Sequence, residues 1–121
     1  MATANTIRIQ RSSEQAGLTP RHLARENQIF GGTGGVSQGN QQYGFRPAFL
    51  EAESGEIYLS RFADGRPAPV HVLDGLPPAM VTKRTATGRV IATRGSIISG
   101  FVCAGRFYTR EQTAKLTTAS A

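Results

Sequence analysis

A chain of 121 residues, 39% apolar, with a single cysteine and a net charge of +6, fits one small domain that buries roughly two-thirds of its surface on folding. One cysteine, Cys103, excludes an internal disulfide, so a reducing, cytoplasmic setting is expected. The densest apolar run, Ile97 to Ala104, is far short of the ~20 residues of a membrane helix, and Met1 to Gln10 lacks the apolar run of a signal peptide.

In chain order, Ile7 and Ile9 alternate with polar residues, which suggests a short strand over Thr6 to Gln10. Thr19 suits an N-cap and Pro20 the first helical position, where its missing N–H costs nothing. A helix is expected from Pro20 to Gln28, with Leu23 and Phe30 on one face and Gly31-Gly32 as the stop. Gly31 to Gly44 holds six of the 14 glycines and no charge. That composition buries little and reads as a loop or tether. The expected organisation is therefore an N-terminal arm over 1–44 and a β-rich core over 45–121.

Phe45 to Glu51 reads as a strand with Phe45 and Phe49 on one face. Pro47 removes a ladder donor and argues for an edge position or a bulge. A turn over Glu53 to Glu56 leads into a second strand, Glu56 to Phe62, which predicts a hairpin. Asp64-Gly65 is a further turn, and Pro69 to Leu73 a short third strand. Pro78 to Lys83 suits one helical turn. Arg89 to Arg94, Ser96 to Cys103 and Arg106 to Tyr108 read as strands, the last two joined by Ala104-Gly105. Thr109 followed three residues on by Gln112 forms a capping box, which predicts a helix from Thr109 to Leu116. The segment Ser54 to Arg61 resembles Thr87 to Arg94, a similarity that turn chemistry alone produces. The sum is an α+β fold: a meandering antiparallel sheet of five to seven short strands, one N-terminal helix and one short C-terminal helix.

Charge is unevenly spread. Residues 1–50 carry +3, residues 51–82 carry −3 and residues 83–121 carry +6, and 12 of the 14 basic residues are arginine. Arginine suits bidentate contact with carboxylate or phosphate. In the last third, Arg84, Arg89, Arg94, Arg106 and Arg110 lie close to Tyr108. Such a set is a candidate docking face for an acidic protein surface, or a phosphate-clamping and base-stacking face for nucleic acid. A solvated basic surface is the plainer reading of the same residues.

Other constellations carry less chemistry. The glycine cluster lacks the lysine of a phosphate loop and follows a helix where a dinucleotide fingerprint precedes one. Cys103, His71 and Asp74 have the residue types of a nucleophile, base and orienting acid, but no spacing brings them together. Glu51, Glu53 and Glu56 surround a turn where carboxylates are ordinarily solvated. His22 and His71 with one cysteine make no zinc pattern, and His71 is expected to face solvent or a hydrogen-bonding partner. The sequence thus predicts a non-catalytic binding protein, an accessory or inhibitor with an Arg/Tyr face for an acidic partner, with no cofactor and no metal. A nucleic-acid binder and a self-assembling subunit, hence a homo-oligomer, are the alternatives.

Overall fold

The computed structural model describes residues 17–120, so the strand expected over Thr6 to Gln10 lies outside the described residues. Helix α1 spans Pro20–Ile29, one residue longer than expected. Its cap is Thr19, whose Oγ1 accepts from the His22 N–H at 3.0 Å. The glycine-rich segment is more structured than a tether: it forms a short helix α2, Ser37–Asn40, and a 3₁₀ turn, Gln41–Tyr43.

Three antiparallel hairpins follow. Strands β1 (Arg46–Glu51) and β2 (Glu56–Leu59) form the first, β3 (Val81–Arg84) and β4 (Val90–Thr93) the second, and β5 (Ile97–Cys103) and β6 (Arg106–Thr109) the third. The first and third merge through β1 and β5 into a four-stranded sheet of order β2-β1-β5-β6, and the second stands apart as a two-stranded ribbon. Helix α3, Arg110–Ser120, closes the chain. Its capping box is reciprocal. Thr109 Oγ1 accepts from the Gln112 N–H at 3.1 Å, and Gln112 Oε1 accepts from the Thr109 N–H at 2.9 Å. The α+β class read from the sequence is the class observed. The two similar segments both leave a turn glycine at positive φ, Gly55 at 79° and Gly88 at 92°, then enter different sheets.

Three local expectations are corrected. Pro47 sits in an interior strand, not at an edge. Its carbonyl accepts from the Ser60 N–H at 2.9 Å, and the Ser60 carbonyl, deprived of a proline N–H, accepts from Ala68 N–H at 2.9 Å instead. Pro69 to Leu73 is not a strand. The Ser60 hydroxyl takes the place of a ladder there, accepting from Val72 N–H at 2.8 Å and donating to the Val70 carbonyl at 2.8 Å. The helical turn after Pro77 is a 3₁₀ turn of three residues, Pro78–Met80, and Val81 onward is already β3.

Strand alternation divides the sheet into two faces. The register puts Phe49, Tyr58, Ser99, Phe101 and Tyr108 on one face. On that face Phe49 and Ile97 pack with Leu18 and Leu23 around α1, with Leu73 and Leu76, and with Val90 of the ribbon. The core therefore includes residues from both sides of position 44.

Candidate functional site

Among the described residues the most connected polar side chain is Arg110, at the first position of α3 and only 3% exposed. Helix α3 has no apolar stripe to bury. Its inward positions, Arg110, Thr113 and Thr117, are polar, and they face the glycine-rich loop. A Cβ on Gly34 would overlap Thr117, so the loop approaches the helix as closely as only glycine permits. Arg110 Nη1 donates to the Gly35 carbonyl at 3.0 Å, and Nε faces Glu26 Oε1 of α1 and Ser99 Oγ of β5, each at 3.2 Å. The Ser99 hydroxyl donates to the same Glu26 oxygen at 2.5 Å. The guanidinium carbon lies 5.9 Å from the centre of the Phe101 ring.

The remaining Arg110 contact fixes a histidine. Nη2 lies 3.0 Å from His71 Nδ1, and His71 Nε2 lies 2.7 Å from the Gly100 carbonyl. A guanidinium only donates and a carbonyl only accepts, so His71 is neutral with its proton on Nε2. Its ring meets Phe49 and Phe101 edge to face at 5.3 and 5.1 Å. Burial first, and the Arg110 charge second, pull the His71 pKa down to about 3. Burial also lowers the Arg110 pKa, against the Glu26 carboxylate, which holds the guanidinium charged. Both ring nitrogens of His71 are committed, so this cluster ties α1, the glycine-rich loop, the 70s segment, β5 and α3 together and leaves no free base.

This places the sequence-predicted residues as follows. Arg110 is withdrawn from the surface and offers nothing to a partner. Arg89 pairs with Asp74 at 3.3 Å and Arg94 with Glu53 at 3.3 Å. Arg84 donates to the Gly88 carbonyl of its own ribbon at 2.9 Å. Arg106 is exposed, with its guanidinium 5.8 Å from the centre of the Tyr108 ring. Tyr108 is half-buried and braced by Phe45 at 5.5 Å, edge to face. Among the described residues, Arg84 and Arg106 have no carboxylate partner. The predicted face is not continuous. Arg94 precedes one end of β5 and Arg106 pairs with Cys103 at the other, about 20 Å away at ~3.3 Å per residue.

Cys103, His71 and Asp74 do not meet. The thiol lies 4.0 Å from the Tyr43 carbonyl, His71 is held by Arg110 and Gly100, and Asp74 Oδ1 accepts from Val90 N–H at 2.9 Å. Glu51 is a turn cap. Its carboxylate accepts from Ser54 N–H at 2.8 Å and Glu53 N–H at 3.3 Å. The Ser96 and Ser54 hydroxyls, with those two N–H groups, hold its pKa at about 2. Among the described residues no three His, Cys, Asp or Glu side chains gather as metal ligands, and no helix is long and apolar enough to cross a membrane. Two open clefts border the cluster: one of about 210 Å³ lined by Pro20, Leu23, Asn27, His71, Asp74 and Arg89, and one of about 310 Å³ lined by His22, Glu26, Ile98 and Ser99, the larger only at the ~300 Å³ where small-molecule pockets begin. No family model, no curated protein and no solved structure matches the chain.

The sequence reading missed the Arg110 cluster because its members, Glu26, Gly35, His71, Ser99 and Arg110, are scattered along the chain. The one signal available was the lack of an apolar stripe on the last helix.

Proposed function

We propose that this chain is a non-catalytic binding protein that docks an acidic protein surface. The observation that carries the reading is the Arg106–Tyr108 pair. The guanidinium is exposed, lies over a ring held from behind by Phe45, and has no carboxylate partner among the described residues. Arginine and tyrosine pre-set in this way are the residue types that dominate binding hot spots. Arg84, with Lys83 beside it on the exposed ribbon, supplies a second cationic point.

The break in the basic face between Arg94 and Arg106, at opposite ends of β5, favours protein over nucleic acid as partner. A nucleic-acid backbone is a continuous line of charge and selects a continuous basic track. An acidic protein patch needs only local complementarity. The test is fluorescence anisotropy with a labelled polyglutamate peptide and, separately, a single-stranded DNA of equal length. Arg106→Ala and Tyr108→Ala should each weaken peptide binding by about 5- to 10-fold, the range of a modest hot spot. Arg89→Ala should change it little, because Asp74 already neutralises that cation. Peptide binding that ignores both β6 substitutions overturns the reading. Tighter, steeply salt-dependent binding to the DNA replaces it with the nucleic-acid alternative.

A further inference from the structure

The second face of the four-stranded sheet has the wrong chemistry for a face left in water. The register places Leu50 of β1, Ile57 and Leu59 of β2, Ile98 and Val102 of β5 and Phe107 of β6 on it together. Ile57 and Ile98 are 38% and 39% exposed, and the other four are half-buried. None of the six belongs to the core cluster, which lies wholly against the opposite face. The Arg110 cluster lies on that opposite face as well, through Ser99, Phe101 and His71. A solvated face of an antiparallel sheet is ordinarily polar. Here every strand contributes apolar side chains to both faces, the pattern of a sheet covered on both sides.

We propose that this face is the interface of a two-fold homodimer, covered by the same face of a second copy of the chain. Three observations select that occupant. First, among the described residues the strands give this face no carboxylate and a single cation, Arg46 at the start of β1. Apart from Arg46 at its edge it has nothing for an acidic partner, and a largely uncharged apolar surface is its best complement. Second, β1 starts at exposed Arg46 and runs into the turn that bears exposed Glu53. A two-fold axis lying between the two sheets and perpendicular to the strands brings each Arg46 end towards the partner's turn that bears Glu53 and Glu56, so opposite charges meet there, although Glu53 already meets Arg94 of its own chain at 3.3 Å. Third, the size is within reach. The four strands are six, four, seven and four residues long, and at ~4.8 Å spacing and ~3.3 Å per residue they span about 330 Å² in plan. Two copies give about 670 Å² in plan, so side-chain relief and the flanking loops must supply the remainder of the ~1,200 Å² at the small end of stable interfaces. Apolar composition of this kind marks homodimer interfaces more than transient ones.

The test is size-exclusion chromatography with light scattering on the full chain. Ile57→Lys and Ile98→Lys, singly and together, are the variants, and circular dichroism melts check that they fold. Both positions are exposed in the free chain, so folding should survive. The wild type should have twice the chain mass at about 100 μM, where a micromolar Kd fills the dimer. The double variant should have the chain mass with an intact melt. A wild type that is monomeric at that concentration overturns the proposal, as does a folded double variant that stays dimeric. A dimer whose mass survives Arg46→Glu but is lost in Ile98→Lys supports the face and rejects the rim pairing. Peptide binding through Arg106 is a separate readout and should persist in a folded monomeric variant.

Discussion

Replacing Arg110 with methionine removes one buried side chain from five segments at once. The substitution keeps most of the length but removes the guanidinium from over the Phe101 ring. It also deletes the donor set for Gly35, Glu26, Ser99 and His71. Glu26 is then a carboxylate with only the Ser99 hydroxyl and a more distant His22, 3.8 Å away. The Gly35 carbonyl and His71 Nδ1 lose the guanidinium in a site that water reaches poorly. Breaking a buried charged pair by removing one partner costs about 3–5 kcal/mol, against a total stability of about 6–18 kcal/mol for a chain of this size. At about 4 °C per kcal/mol the melting temperature should fall by about 12–20 °C. Urea unfolding at pH 7, followed by circular dichroism, measures the loss directly. Arg110→Lys separates charge from geometry. An ammonium cannot bridge Gly35, Glu26 and His71 together, so it should recover less than half of the loss. A drop below about 1 kcal/mol for Arg110→Met, the range of an exposed arginine, refutes the reasoning.

Stability should fall as the solution is acidified, from two groups acting in sequence. His71 has a folded pKa of about 3 against an ordinary 6.5, so between those values the unfolded chain binds the extra proton. Its contribution is complete above pH 6.5 and declines at up to about 1.4 kcal/mol per pH unit below it; urea midpoints from pH 7.5 to 4 should show the slope, and His71→Gln should flatten it. Glu51 is held at about 2 against an ordinary 4.5, so its contribution is present above pH 4.5 and is lost between there and pH 2; Glu51→Gln should remove that part of the acid limb and leave the His71 part in place. Ala104, in the tight turn between β5 and β6, has a φ of 52°. Ala104→Gly or Ala104→Asn should raise stability by about 0.5–1 kcal/mol in the same urea assay, since both tolerate this backbone better than alanine; a loss would mean that the turn is not strained.

Local chemistry was readable where one short stretch holds the whole cause. The Thr19–Pro20 start of α1, the Thr109–Gln112 capping box and the Ala104-Gly105 turn each act within four residues, and each formed as expected. Pro47 misled because the residue that compensates for its missing N–H, Ala68, lies about 20 positions away. Pro69 to Leu73 alternates like a strand, yet its backbone is served by one serine hydroxyl from across the fold. The glycine-rich segment misled in a further way. Composition describes glycine as freedom, whereas at Gly34 its use is close approach to Thr117. Arg110 could not be sorted from the other arginines because burial is a property of the assembled fold and not of the arginine-rich stretch.

The two surfaces bear on each other through the handedness of the sheet's two sides. Arg106 and Tyr108 share the register of Phe49 and Phe101, the face turned towards the core, and the β3–β4 ribbon packs over that same side through Val90. The apolar face is on the other side. A dimer closed by the apolar faces therefore leaves both cationic points of each copy uncovered and presents them twice, on opposite outer sides. Such a dimer binds a short acidic peptide no better than a monomer does, because each site acts alone. A long acidic chain that reaches both copies engages the second site at the effective concentration set by its own length, and its affinity rises by about 10²-fold or more without any new contact. Comparing a short and a long polyglutamate on the wild type and on the folded Ile57→Lys/Ile98→Lys chain isolates this effect. The double variant should lose the advantage of length and keep its affinity for the short peptide. Equal length dependence in both would show that the two surfaces work independently.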